Sequence, residues 1–297
     1  MKQSILLIAL LLALGGCREH NRQAVVGGGY GLGTMDGKMR QGEWEFFRAD
    51  ESLESVGVFE NDLAVGDWKF YHKNGELEEE SFWTNGILDG DYKKYWDNGN
   101  ARETGTFVQD KKYGHWSYYF ESGKPEASGE FDQDYKDGRW EFTFESGQVQ
   151  AVNNFKAYQA EGVLMEWYEN GTIKTSGYYH KGRQDSLWTH NFNDGTPEEI
   201  TTWKDGKKHG LSTTFHQNGE KKIESNYLYN QRHGIERYYY VDGQMQIDGL
   251  YDLDKENGVF TYYFPNGNLE TQILWKRGVQ VQIGLERQNN EDKDIVQ

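Results

Sequence analysis

Two short acidic segments have residue types and a spacing that could bind calcium. They run from Asp132 to Gly138 and from Asp252 to Gly258, at equivalent places in the repeat described below. Alternating carboxylates before a glycine can surround calcium with oxygen ligands. The candidate ligands are Asp132, Asp134, Asp137, Asp252, Asp254 and Glu256. Both segments lack the terminal bidentate glutamate of a calcium loop, so we predict no resident cofactor and keep calcium as the alternative.

The sequence gives little support for catalysis. His209 and His233 lie one period of 24 residues apart. A separation of two strands places them about 10 Å apart, too far to share one zinc ion. Ser212, Asp205 and His209 lie close together in the sequence, but no turn around the serine resembles a nucleophile elbow. We therefore predict no catalytic residue and a protein that is not an enzyme.

The single cysteine, Cys17, suggests covalent lipid attachment. It follows an apolar run from Ile5 to Leu14 and the pair Gly15–Gly16. The run is too short to span a bilayer, and the arrangement resembles the lipobox of bacterial lipoprotein signal peptides. The resemblance implies cleavage between Gly16 and Cys17 and acylation of the Cys17 thiol by lipids such as palmitate. An ordinary signal peptide with a chance cysteine is the alternative.

These features predict a lipid-anchored protein of the bacterial cell envelope. Two or three acyl chains anchor a protein stably, so the lipid would be its only membrane attachment. Arg18, rather than an aspartate, follows the cysteine, and resemblance to enterobacterial sorting then favours the outer membrane over the inner one. The sequence leaves both a periplasmic and a surface-exposed location open.

A pattern with a fixed period of 24 residues covers most of the chain. We number positions within each repeat from its start, counted as position 0. The ten starts are Gly42, Gly66, Gly90, Gly114, Gly138, Gly162, Ser186, Gly210, Gly234 and Gly258. Position +9 is glycine in every repeat except the first, and position +17 is always aromatic. Asn, Asp or Ser precedes the +9 glycine, which is typical of a tight turn.

Each repeat contains two strand-like runs, so the sequence predicts an all-β protein. Ten 24-residue β-hairpins of this kind would form an elongated, twisted antiparallel sheet with an aromatic core shared between neighbouring repeats. Position +15 is usually small, which would let an aromatic ring lie over bare backbone. Aromatic residues recur at positions +2 and +5, an odd spacing that leaves two interpretations: a bulged strand, or a strand covered on both faces.

The pattern also predicts domain limits. Residues 1–16 would be the lipoprotein signal peptide and residues 17–35 the lipidated cysteine with a flexible, glycine-rich tether. The repeat array would occupy residues 36–285, and residues 286–297 would form a polar, disordered tail. A half-formed first repeat is an alternative for the tether, because Met35 lies one period before Phe59.

Composition limits the classes of partner. The formal net charge is −16, which repels nucleic-acid backbones and anionic lipid headgroups, so we predict no nucleic-acid binding. Aromatic residues make up 15% of the chain, and exposed rings are common anchors of protein interfaces. The predicted partner contacts are Trp96, Trp167, Tyr168 and Tyr240. Packing in the core is the alternative for each of these rings.

The repeat motif resembles a known family. Gly-x-Trp-x-x-Tyr followed by Asn-Gly, with loops such as the segment from Trp203 to Gly210, resembles the MORN-repeat variant of bacterial YwqK-like proteins. The resemblance covers about Met35 to Gln282 and implies an elongated, twisted sheet of successive hairpins. It also implies a scaffold, or an antitoxin or immunity partner of a toxin.

Together these observations predict a membrane-anchored, non-enzymatic repeat scaffold of the bacterial envelope that binds a protein partner. An antitoxin or immunity-type inhibitor of a toxin is one alternative. A glycan-binding envelope lipoprotein, using its aromatic residues to stack on sugars, is the other.

Overall fold

The computed structural model describes residues 21–25 and 28–283, which contain strands and turns and no helix. The chain divides into two compact units between Lys112 and Tyr113. The strands up to that boundary are β1 Asn21–Ala24, β2 Tyr30–Asp36, β3 Met39–Phe47, β4 Leu53–Glu60, β5 Leu63–Tyr71, β6 Leu77–Thr84, β7 Ile87–Tyr95 and β8 Ala101–Val108.

The second unit continues the numbering, and its first strand begins two residues before the boundary. Its strands are β9 Lys111–Tyr119, β10 Pro125–Asp132, β11 Tyr135–Thr143, β12 Val149–Lys156, β13 Gln159–Ala160, β14 Gly162–Trp167, β15 Ile173–His180, β16 Arg183–Asn191, β17 Pro197–Lys204, β18 Lys207–Phe215, β19 Lys221–Leu228, β20 Gln231–Tyr239, β21 Met245–Asp252, β22 Lys255–Glu256, β23 Gly258–Tyr263, β24 Leu269–Lys276 and β25 Val279–Ile283. Within each unit, consecutive long strands pair antiparallel, as β4 does with β5 and β18 with β19. The prediction of an all-β protein built from antiparallel hairpins is confirmed.

Two kinds of turn connect the strands. The predicted turn at +8 and +9 is present, and its glycine has a φ between 79° and 92° in all nine repeats that carry it. The Asn or Asp at +8 stabilises the turn through its side chain, since Asn74 Oδ1 accepts a hydrogen bond from the Glu76 backbone at 2.9 Å. The other connection, expected to be a polar loop from Lys204 to His209, is a two-residue turn. Asp205 and Gly206 form it with φ of 51° and 76°, the left-handed backbone of a type I′ hairpin.

The two aromatic positions of the first strand lie on opposite faces. The ring at +2 is buried, which defines the core face, whereas the +5 ring lies on the other side, which we call the outer face. There Tyr95 donates a hydrogen bond to Glu80 at 2.8 Å, and Tyr239 donates to Glu224 at 2.5 Å. The strand register also shifts between +4 and +5, as at Phe46 and Phe47. Both interpretations of the odd spacing therefore hold in part.

The segment predicted to be a flexible tether contains β1 and most of β2, so that prediction is wrong for residues 21–24 and 30–35. β2 pairs with β3 and supplies the second half of an additional repeat. A Cβ at Gly33 would lie 2.3 Å from Trp44, and the Trp44 indole donates to the Thr34 carbonyl at 3.1 Å. The glycines that suggested flexibility are instead the small residues that let a tryptophan pack on the strand. Residues 1–20 and 284–297, with the predicted signal peptide, cleavage site, Cys17 and tail, lie outside the described residues.

The core of each unit is a row of stacked aromatic rings. In the first unit, Phe46 lies between Trp44 and Trp68, with ring centroids 5.9 and 6.2 Å apart. In the second unit, Tyr118 lies between Trp116 and Trp140 at 6.3 and 6.1 Å. Such offset contacts stabilise a sheet that has few aliphatic residues to bury.

Candidate binding surfaces

Position +2 forms the centre of the core face, and we call it the core row. Its ten residues are all buried: Trp44, Trp68, Tyr92, Trp116, Trp140, Leu164, Trp188, Ser212, Glu236 and Phe260. Seven of them are aromatic, as the role of the row requires. The two polar members, Ser212 and Glu236, belong to consecutive repeats in the second unit. They interrupt the apolar core at a place where burial of polar groups is costly unless each finds a partner.

Hydrogen-bonded pairs replace the usual ring contact at this interruption. At four other +15 positions a glycine faces the ring of the next repeat, as Gly177 faces Trp188. Here Thr201 occupies the glycine position, and its hydroxyl lies 2.6 Å from that of Ser212. One repeat later, Ser225 donates to Glu236 Oε1 at 2.7 Å. The interruption is therefore a satisfied polar structure rather than a packing defect.

A carboxylate and an ammonium extend the first pair. Glu199 Oε1 accepts hydrogen bonds from Lys208 Nζ and Thr201 Oγ1, both at 2.7 Å. Burial would raise the pKa of Glu199, but the hydrogen bonds from Lys208 and Thr201 outweigh it and hold that pKa below its usual value. Glu199 is therefore an anion at neutral pH, with about 29% of its side chain exposed.

The second pair is anchored by an arginine. Arg232 Nη1 lies 3.1 Å from Glu236 Oε2, and the Glu236 side chain is 5% exposed. The Arg232 guanidinium also lies over the Tyr251 ring, 3.9 Å from its centroid. Burial and the Glu236 carboxylate raise the pKa of Tyr251 to about 12. The buried Glu236 side chain thus contacts both a guanidinium and a hydroxyl, the arrangement that makes such burial tolerable.

An open cleft of about 700 Å³ lies next to the first polar pair. Its lining combines rings, carboxylates, imidazoles and one ammonium, and consists of His190, Phe192, Glu198, Glu199, Thr214, Phe215, His216, Gln217, Lys222 and Ile223. Thr214 Oγ1 is buried and has no hydrogen-bond partner. A cleft of this size with a few convergent polar groups is typical of small-ligand or side-chain binding sites.

The outer face of the second unit carries an exposed row of aliphatic side chains. Its members, which we call the outer row, occupy position +1 of five successive repeats: Val163, Leu187, Leu211, Ile235 and Val259. Each is between 43% and 56% exposed. Exposed Tyr178, Leu250 and Leu274 lie directly opposite three of them on the neighbouring strands. The first five repeats have only polar residues at +1: Glu43, Asp67, Asp91, His115 and Arg139.

The aromatic residues predicted as partner contacts are half-buried. The Tyr168 hydroxyl donates to the Asn191 carbonyl and the Tyr240 hydroxyl to the Tyr263 carbonyl, both at 2.8 Å, which links each ring to the following repeat. Arg102 lies over the Trp96 ring, 4.7 Å from its centroid. Trp167 takes part in the pairing of β14 with β15. These contacts favour the alternative of structural packing, and partner binding by the four rings stays a prediction.

The two acidic segments are hairpins rather than loops around an ion. Gln133 and Asp134 form one two-residue turn, and Leu253 and Asp254 form the other, all with positive φ. In the second hairpin, the Asp254 carboxylate accepts from the Arg232 backbone at 2.9 Å, and Asp252 lies 3.3 Å from His233. Within residues 21–25 and 28–283, no three His, Cys, Asp or Glu side chains are grouped so that they could hold a metal ion.

The structure does not unite the three residues considered for catalysis. Ser212 bonds to Thr201 on the core face, whereas the His209 ring packs on Tyr229 with centroids 4.7 Å apart. Asp205 lies in a turn. In the part of the chain that the structure describes, no hydrogen bond joins Ser212 to His209. No helix among the described residues is long and apolar enough to cross a membrane.

Comparison with known proteins identifies the repeat. A family model described as MORN repeat variant matches residues 64–85, 88–109, 112–133, 160–181, 208–229 and 256–277. Six segments of the chain are similar to this repeat, and together they make up less than half of its length. Each matched segment begins two residues before a repeat start and contains one two-strand unit. The intervening segments of the same length are not matched, although they form hairpins with the same register. MORN repeats are generally non-enzymatic and suggest a scaffold for protein or membrane interaction.

Other comparisons add little to the MORN assignment. No curated protein matches the chain. A chain in the crystal structure of TcdB2-TccC3-Cdc42 is 10% identical over 85% of this chain and 18% of its own length, with a TM-score of 0.15. A chain in that of TcdB2-TccC3 is also 10% identical over 85% of this chain and 17% of its own length, with a TM-score of 0.14. TM-scores this low support no conclusion about fold or function.

Proposed function

We propose that the chain is a membrane-anchored, non-enzymatic repeat scaffold of the bacterial envelope, and that its outer row binds a protein partner. The outer row is the observation that supports this proposal. Five aliphatic side chains at one position of successive repeats form an exposed row, with apolar residues opposite three of them and Thr202 and Asn226 opposite the other two. Exposed aliphatic residues that recur in this way are unusual on a soluble protein unless the surface contacts another molecule.

The charge of the chain defines the kind of partner. With a formal net charge of −16, the protein attracts a basic surface and repels an acidic one. We therefore infer a partner that presents an apolar centre surrounded by Lys and Arg. An anionic lipid surface is a poor candidate, because the outer row consists of Val, Leu and Ile without the basic and aromatic residues that bind membrane interfaces.

Attachment to the membrane is assigned to the Cys17 lipid. The apolar run before Gly16 and the lone cysteine support this part of the proposal, together with the outer membrane as its location. In cells labelled with radioactive palmitate, the native protein should carry label and sediment with membranes, and Cys17→Ala should do neither. Unlabelled native protein in the soluble fraction would contradict the anchor while leaving the binding surface untested by that assay.

The outer row is tested with a purified partner. Crosslinking on intact membranes supplies candidates, and each candidate is then purified and titrated against the native protein. The triple variant Leu187→Ser, Leu211→Ser and Ile235→Ser should weaken binding by at least about tenfold, because apolar residues at the centre of an interface contribute most of its affinity. Binding should also weaken as salt rises.

A matched control removes exposed apolar residues outside the row. Val241→Ser with Leu253→Ser should leave the affinity unchanged, since both residues are exposed but lie in turns. Equal affinity for the native protein and the triple variant would overturn the assignment of the row. Turnover of a substrate by the purified protein would overturn the whole proposal.

The same purified proteins separate the two alternatives. An antitoxin or immunity role, as in the YwqK-like group, requires that the partner be a toxin and that binding abolish its activity. A glycan-binding role requires that cell-wall sugars bind without any protein partner. A protein partner whose own activity is unchanged in the complex supports the scaffold.

A further inference from the structure

A second row of rings on the core face is broken beside the cleft. Position +4 carries an aromatic residue in six repeats, namely Phe46, Phe70, Tyr118, Phe142, Tyr238 and Tyr262. Each of these six lies next to a core-row residue two positions before it, and in the first unit Phe46 stacks between Trp44 and Trp68. The cleft lies at Thr214, where this position holds a small side chain. The fold therefore leaves room there for one ring that the chain does not supply.

The chain also shows what kind of ring a glutamate at this place accepts. Glu199 is directly opposite Thr214 on the neighbouring strand. Five periods earlier, the equivalent residue is Glu79, whose Oε2 accepts a hydrogen bond from the Tyr92 hydroxyl at 3.0 Å. Tyr92 is the counterpart of Ser212. In the second unit the carboxylate is retained, but Ser212 at +2 and Thr214 at +4 both lack the ring that could reach it.

The polar groups beside the gap can form further hydrogen bonds. In the described part of the chain, all hydrogen bonds to Glu199 end on Oε1, which leaves Oε2 as an acceptor. Thr214 Oγ1 has no partner. Phe192 and Ile223 supply apolar walls. An aromatic ring without a hydroxyl would fill the space but would remove water from Glu199 without replacing its hydrogen bond, which is unfavourable.

We propose that this cleft binds a tyrosyl side chain from a peptide segment of another protein, with the ring over Thr214 and the hydroxyl donating to Glu199 Oε2. The cleft lies on the core face and the outer row on the opposite face, so this site is separate from the one proposed above. Its volume of about 700 Å³ accommodates the tyrosine and its flanking residues. The inference stands whether or not the outer row binds a partner.

The test uses N-acetyl-tyrosinamide as the probe and the purified full chain as the receptor. Titration followed by NMR should give a dissociation constant on the order of 1 mM, as expected for one side chain in an open site. N-acetyl-phenylalaninamide should bind about tenfold more weakly, because it lacks the donor. Glu199→Gln should weaken binding of the tyrosine probe to about the level of the phenylalanine probe.

Two further variants make the test specific to the gap. Thr214→Tyr places in the chain the ring found in the sister repeats and should abolish probe binding without lowering the melting temperature. Glu224→Gln removes a carboxylate that bonds a tyrosine on the outer face, and it should leave probe binding unchanged. If Thr214→Tyr does not fold, the two probes and Glu199→Gln still decide the question.

Three results would overturn the inference. The first is equal affinity for the tyrosine and phenylalanine probes. The second is undiminished tyrosine binding to a folded Thr214→Tyr variant. The third is a methyl glycoside that binds the cleft while the tyrosine probe does not, which would identify a sugar site.

Discussion

Gly177→Ala should strongly destabilise the second unit, although it adds a single methyl group. Gly177 faces the buried Trp188 ring, and a Cβ at this glycine would lie 2.2 Å from Trp188 Cδ2. An ordinary contact needs about 3.4 Å or more, so the indole must move by more than an ångström. Overpacking of this kind costs about 1 to 3 kcal/mol. Displacing the ring also breaks the Trp188 bond to the Tyr178 carbonyl, at about 1 kcal/mol. The expected loss is therefore about 2 to 4 kcal/mol.

Urea denaturation followed by far-UV circular dichroism measures this loss, with Gly171→Ala as the matched control. Gly171 has a φ of 85° and nothing within 4 Å of an added Cβ, so alanine there should cost only the left-handed backbone, about 1 kcal/mol. A second test adds Trp188→Leu, since the equivalent pair one repeat earlier is Asn153 with Leu164. Gly177→Ala should cost much less on the Trp188→Leu background. A Gly177→Ala variant that is no less stable than Gly171→Ala would refute the steric explanation.

The remaining predictions concern the backbone, acid stability and the repeat register. Ser186 has a φ of 62° at a start position, so Ser186→Gly should raise the free energy of unfolding by about 0.5 to 1 kcal/mol. Gly210→Ser should lower the free energy of unfolding. Urea denaturation that shows no gain for Ser186→Gly would contradict this prediction. The pKa of Glu199 is lowered, so its contribution to stability is present above the usual pKa of 4.5 and is lost as the pH falls through the lower, folded value. As the pH falls from 6 to 3, the melting temperature of Glu199→Gln should therefore decrease less steeply than that of the native protein. Parallel curves of melting temperature against pH would contradict this role of Glu199. Deleting residues 138–161, one whole repeat, should leave a folded protein. Deleting residues 150–161 removes most of β12 and all of β13 and should lower the melting temperature sharply. Equal melting temperatures of the two deletion variants would refute the repeat register.

Position-by-position comparison of the repeats explains which features the sequence could predict. The small residue at +15 predicted the close approach of a ring, because only glycine leaves the space that Trp188 occupies over Gly177. The acidic residues that suggested calcium also have a conformational explanation. Asp134 and Asp254 stand where a type I′ turn needs positive φ, and Asp tolerates that backbone better than most residues. An acidic residue in such a turn is therefore weak evidence for a metal ligand.

The tether failed as a prediction for a related reason. Glycines in a polar stretch indicate flexibility by composition, but Gly33 occupies the +15 position of an additional half-repeat and packs under Trp44. The sequence predictions do not include the outer row, because aliphatic residues are few in this chain. Its signal was present at position +1, which changes from polar residues in the first five repeats to Val, Leu or Ile in the last five. The burial of Glu236 follows only from its position in the core row, since nothing in its local sequence indicates a buried residue.

The outer row and the polar interruption occur in the same repeats, and this coincidence supports the two binding proposals. Leu211 and Ser212 are neighbours on opposite faces of β18, and Ile235 and Glu236 are neighbours on opposite faces of β20. In each pair, the aliphatic residue is exposed and the polar residue is buried, the reverse of what stability favours. Exchanging the two residue types would restore the pattern of the first unit, where acidic Asp67 is exposed beside buried Trp68. Natural sequences break such local rules mainly at functional sites. Two successive repeats that break the same rule on both faces therefore support the proposal that this part of the second unit, rather than its regular aromatic core, binds other molecules.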